Sequence, residues 1–211
     1  MKTIFSPKTL NAFIIFLVSS ATFAGIESVQ IQLPDSEEIH TGRLYVAFSR
    51  SNEEEPRLAI GDDVVPTSAT PFFALDVNDW DGSAFDFVPS AGYPFNAFSE
   101  LEAGQWYAQA VYDTDAILSE VNSPGAFYSA VTPVLIEGTN TELELQLDQQ
   151  LPAETLPEDT ALLKFVKIRS ELLSAFYGTD VFLRASVLLP SSYSEGSSKR
   201  YPVLYNVAGM N

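Results

Sequence analysis

Apolar and polar residues alternate with a period of two through most of the chain. Val29, Ile31 and Leu33 are spaced by Gln30 and Gln32, and Leu44, Val46 and Phe48 alternate within 42–49. Leu143, Leu145 and Leu147 face away from Glu142, Glu144 and Gln146. This is the pattern of strands with one buried face. Two more strand-like runs occupy 72–77 and 106–112. Between the runs lie turn formers such as Gly61-Asp62-Asp63, Asp81-Gly82-Ser83 and Glu137-Gly138-Thr139-Asn140. No amphipathic pattern exceeds two helical turns. Strands of this kind must bury one face each, so the pattern predicts an immunoglobulin-like β-sandwich over 25–150.

The pattern then changes. Residues 151–160 are rich in proline and acids and have the composition of a linker. Beyond it, 162–169 and 181–189 read as an antiparallel strand pair, with 174–179 and its Gly178 in the connection. Pro190 ends the second strand because it cannot donate to a ladder. A polar turn over 191–198 leads to the apolar run 203–207, expected to be a buried strand that breaks at Gly209.

At the other end, Lys2 and Lys8 precede the apolar run 12–18, and Thr22-Phe23-Ala24 offers small residues for cleavage. This is the form of an export leader over 1–24, with cleavage expected after Ala24 ahead of Ala21. The apolar run is short for a bilayer span. Without a cysteine after it a lipid anchor is not expected, and no later stretch is long and apolar enough to cross a membrane. The expected location is therefore periplasmic or secreted. Cysteine is absent from the whole sequence. That excludes disulfides, a thiolate nucleophile and zinc–thiolate sites, so core packing must carry stability.

Charge separates the two segments. The formal net charge is −17, and removal of Lys2 and Lys8 with the leader would take it to −19. Residues 25–159 hold 25 acidic residues against Arg43, Arg50 and Arg57. Cations concentrate beyond 160, at Lys164, Lys167, Arg169, Arg184, Lys199 and Arg200. A chain this acidic repels nucleic acid and anionic lipid, and neither is expected as a partner.

The segment Ala185-Ser186-Val187-Leu188-Leu189-Pro190, the turn carrying Tyr193, and Arg200-Tyr201-Pro202-Val203-Leu204-Tyr205 resemble the start of the catalytic domain in one group of α/β-hydrolases. The group is that of esterase D and enterochelin esterase. The resemblance covers about 162–211. It implies that these residues form strands one to three of a central sheet, and that the loop at Gly209-Met210 offers a backbone N–H to an oxyanion hole. The stretches 42–50 and 101–113 are similar to the sandwich that precedes the hydrolase domain in some exported members. An intact relative would take an ester substrate and need no cofactor.

Serine ester hydrolysis needs a nucleophile, a base and an acid, in the order Ser, Asp or Glu, His in this fold. No Gly-x-Ser-x-Gly occurs here. The only histidine, His40, lies far upstream in the first domain and reads as an ordinary surface residue. The chain is therefore expected to be a member truncated before the nucleophile and catalytically incomplete.

Two other clusters invite chemistry. Asp76, Asn78, Asp79 and Asp81 place oxygen ligands close together, as calcium requires. They do not form an EF-hand, since Trp80 takes a ligand position and Asp81 the glycine position, and a solvated Asp/Asn turn after a strand is the plainer reading. Aromatic residues crowd the same domain, from Phe72 to Tyr112. Most are expected in the core, with Trp80, set among acids, the candidate for an exposed sugar-stacking face.

The expectation is thus a mainly β chain: a leader over 1–24, a sandwich over 25–150, a linker over 151–160, and the first strands of an incomplete α/β-hydrolase domain over 161–211. The alternative is a self-sufficient β-sandwich binding module that takes carbohydrate or a protein partner.

Overall fold

The computed structural model describes residues 25–33, 40–63, 65–115, 117–118, 120–138 and 141–207, with the side chain of His40 left out. The expected leader and the Gly209-Met210 pair lie outside them. The chain is mainly β and divides into two compact units that meet between Pro152 and Ala153.

Among the described residues ten strands form the first unit: β1 Ile26–Gln32, β2 His40–Ser49, β3 Phe72–Trp80, β4 Phe85–Asp86, β5 Ala91–Tyr93, β6 Gly104–Asp113, β7 Phe127–Tyr128, β8 Thr132–Ile136, β9 Thr141–Gln146 and β10 Gln149–Gln150. One sheet has the order β4-β1-β9, with β1 and β9 parallel. The other runs β10-β7-β6-β2-β3-β5, and β8 pairs with β6 off that path. The alternating residues do what their spacing predicts. Val29 and Ile31 from β1, Leu143 and Leu145 from β9, Leu44, Val46 and Phe48 from β2, and Trp106, Ala108 and Tyr112 from β6 are buried in one shared core. Each such large apolar side chain adds about 1.5–3 kcal/mol, whereas exposed ion pairs such as Arg43–Asp76 add about 0–1 kcal/mol. Packing therefore holds this unit.

β2 and β6 approach closely at Gly42, where a Cβ would stand 2.2 Å from the Asp113 carbonyl oxygen. On the outer face of β6, Gln109 is buried. Its Oε1 accepts from Arg57 N at 3.1 Å, and its Nε2 donates to Ser129 O at 2.9 Å and Glu55 Oε2 at 2.8 Å. Arg57, itself buried, lies over the Tyr128 ring and donates to Asn122 Oδ1 at 2.6 Å. This polar lock ties the 3-10 turn Pro56–Ala59 to the sheet.

The second unit contains β11 Leu163–Arg169, α1 Glu171–Tyr177 and β12 Phe182–Leu188. β11 and β12 pair antiparallel, with Val166 opposite Ala185 and Ile168 opposite Leu183. The helix was not expected. Ser170 caps it by accepting from Leu173 N at 3.3 Å, and Gly178, at φ +72°, ends it in a left-handed turn.

One expectation is overturned. The run 203–207 forms no strand and is not buried: Val203 is 72% and Leu204 92% exposed. Apolar composition alone does not make a strand; a neighbouring edge must be there to pair with it, and none is paired with 203–207 among the described residues.

Candidate functional site

β3 ends in a β-bulge. His40 pairs with Trp80 but Gly42 pairs with Val77, so β3 carries one residue more than β2 over this interval. Asp79 takes up the extra residue at φ +52°, a left-handed conformation that aspartate tolerates, and its N–H donates to Thr41 Oγ1 at 3.1 Å. The bulge inverts the alternation. Trp80 should share a face with Asp76 and Asn78, yet it turns into the core and is only 6% exposed. Its ring packs edge-on against Phe85 and Tyr112, and Nε1 donates to Ser83 O at 2.8 Å. Trp80 is therefore not an exposed sugar platform, which corrects the sequence expectation.

The four calcium candidates are all exposed and are engaged separately. Asp76 pairs with Arg43 at 2.9 Å. Asp81 accepts from the Ser83 hydroxyl at 2.6 Å and from Ser83 N at 3.0 Å. Those bonds hold its carboxyl below the usual aspartate range. Asn78 and Asp79 line the same shallow surface without closing a cage. Among the described residues no group of three or more His, Asp or Glu stands ready to hold a metal. The backbone of His40 pairs with Trp80 at the start of β2.

A larger cleft than this shallow surface lies elsewhere, and the sequence reading missed it. It measures about 600 Å³ and is bounded by the loop 66–71, by Pro94-Phe95 and by Arg50 beside Trp106. The loop is fixed at both ends. Asp63 accepts from Val65 N at 2.8 Å and from the Ser68 hydroxyl at 2.5 Å, while Pro71 O accepts from Phe48 N at 2.8 Å. Hydrogen bonding to Ser68 first, and to the Val65 N–H second, keeps the Asp63 carboxyl below its ordinary value. The guanidinium of Arg50 lies 3.7 Å over the Trp106 ring and donates to Gln105 O at 3.1 Å and Ala103 O at 3.4 Å. The available signal was Pro66-Thr67-Ser68-Ala69-Thr70-Pro71 itself, a hydroxyl-rich loop held stiff by a proline at each end.

A second cleft of about 300 Å³ runs beside Arg43, Tyr45 and Asp113. Asp113 is buried and accepts from the Ser123 hydroxyl and, at 3.0 Å, from Asp115 N. Burial pushes its carboxyl up, and these hydrogen bonds oppose the shift. Burial likewise pushes the Tyr112 phenol up to about 12. Asp113 pins the loop after β6, and Tyr112 packs edge-on against Trp80 in the core.

In the second unit, the two faces of the β11–β12 pair differ. Lys167 and Arg184 stand opposite each other on one face, alongside Leu163, Phe165, Phe182 and Leu188, and share Glu154, with Lys167 Nζ 3.4 Å from Glu154 Oε2. The other face carries Val166, Ile168, Leu183, Ala185 and Val187, with Lys164 at its end; Ile168 is 59% and Leu183 55% exposed. No helix of the described residues is long and apolar enough to cross a membrane. No family model, curated protein or solved structure matches the chain.

Proposed function

We propose that the second unit is the opening of an α/β-hydrolase domain of the esterase D and enterochelin esterase group, behind an immunoglobulin-like sandwich in an exported protein. The complete enzyme would cleave carboxylic esters with a serine nucleophile. The observation that carries this reading is the bare apolar face of the β11–β12 pair. A two-stranded ribbon is marginal alone, and this one leaves Ile168 and Leu183 more than half exposed. A wider sheet with helices laid across it buries such a face. The motif from Val187 to Tyr205 supplies the resemblance to the esterase group.

In this account Gly209 or Met210 contributes one backbone donor to the tetrahedral oxyanion, and the residue after the nucleophile contributes the other. Nucleophile, acid and catalytic histidine come from residues outside 1–211, because these hold no Gly-x-Ser-x-Gly and only His40. The chain of 211 residues accordingly hydrolyses no ester by itself. Reading the coding DNA beyond the Asn211 codon tests the proposal. A Gly-x-Ser-x-Gly followed by an acid and a histidine is expected there, and a continuation lacking them overturns it.

A further inference from the structure

We propose that the cleft between the 66–71 loop, Pro94-Phe95 and Arg50 is a binding site for a neutral oligosaccharide. This goes beyond the hydrolase reading and stands apart from it, since every residue involved belongs to the first unit.

The cleft is preformed. The Asp63 bonds to Val65 N and the Ser68 hydroxyl hold one wall, and the Phe48–Pro71 backbone bond anchors its end. Proline at 66 and 71 removes freedom that a ligand would otherwise have to freeze. Its volume of about 600 Å³ falls within the range of about 300–1,000 Å³ common to small-ligand sites.

The lining matches the two-sided character of a sugar ring. Pro66, Pro94 and Phe95 offer flat C–H and aromatic surface for the C–H face of a pyranose. Thr67 and Thr70 place hydroxyl groups on the same cleft for the ring's own hydroxyls. Electrostatics disfavour an anionic ligand. Among the described residues the one cation at the cleft is Arg50, which spends its donors on the carbonyls of Glu102, Ala103 and Gln105 and on the Glu102 carboxylate. The surrounding domain carries 25 acidic residues over 25–159, which repel anions. A proline-rich peptide fits less well, because grooves for such peptides are lined by open aromatic faces, whereas Trp106 is buried and covered by Arg50.

The test titrates the full chain by calorimetry with neutral hexasaccharides of β-1,4-glucose, β-1,3-glucose, β-1,4-xylose and β-1,4-mannose. Two variants are compared with the parent. Thr67→Trp fills the cleft from an exposed position and leaves the core untouched; Phe95→Ala removes a wall. At least one hexasaccharide is expected to bind, and Thr67→Trp to weaken it about tenfold or more at an unchanged melting temperature. Phe95→Ala should weaken it too, and if that variant fails to fold, Thr67→Trp decides. Absence of binding by all four sugars overturns the proposal, as does binding that Thr67→Trp leaves unchanged.

Discussion

The Arg50 guanidinium stacks on the Trp106 ring at 3.7 Å, and the indole N–H of Trp106 donates to the carbonyl of Glu102 at 2.8 Å. Arg50 Nη2 approaches that same carbonyl at 3.5 Å. The turn 102–105 is thus held from both sides before β6 begins, and Gly104, at φ +120°, leaves room where a Cβ would stand 2.9 Å from Arg50 Nη1. Arg50→Ala should lower the free energy of unfolding by about 1–2 kcal/mol. Arg50→Lys should not restore it, because an ammonium cannot stack and reach several carbonyls together. Urea denaturation measures both, and a lysine variant as stable as the parent would count against this description.

Trp80 is a core residue, so its loss should be felt in stability. Trp80→Ala is expected to cost about 3–5 kcal/mol, read as a fall in the urea midpoint. An unchanged midpoint would mean that the indole does not sit against Tyr112 and Phe85.

Asp113 gives a pH dependence whose sign is fixed by burial. Its folded pKa is raised, so the group favours folding when protonated, and that contribution fades as pH rises through the folded pKa. Asp113→Asn keeps an oxygen for Ser123 Oγ and Asp115 N and carries no charge. The variant should melt higher than the parent at pH 7, and the difference should shrink as pH falls below the ordinary aspartate range. A gain that persists at low pH would contradict this.

Ile168 and Leu183 lie side by side on the bare face of the β11–β12 pair. Ile168→Lys should reduce binding of a hydrophobic dye and light scattering at high concentration, while altering the melting temperature little, since more than half of the side chain is already in water. A large loss of stability would show that the face is covered.

Long alternating runs made β1, β2, β6 and β9 legible, because a period of two over six or more residues leaves few other folds open to them. β4, β7 and β10 have two residues each and exist only because a neighbour pairs with them. α1 has seven residues, and its boundaries depend on the Ser170 cap and the left-handed Gly178 rather than on any repeat. Trp80 was misplaced for a local reason. Its acidic neighbours point to an exposed position, and one bulged residue at Asp79 turns the ring into the core instead. The run 203–207 has the composition of a buried strand but no pairing edge in the described unit. The cleft was hidden because its walls come from 48–51, 66–71, 94–95 and 102–106, which only the folded sheets bring together.

The central claim is that 153–207 opens an ester-cleaving domain whose catalytic groups lie outside 1–211. The most direct measurement compares p-nitrophenyl acetate hydrolysis by the 211-residue chain with hydrolysis by the product of the same reading frame continued past Asn211. The account predicts no turnover above buffer for the first and turnover for the second, abolished when the serine of Gly-x-Ser-x-Gly is changed to alanine. Turnover by the 211-residue chain, or none by either protein, would contradict it.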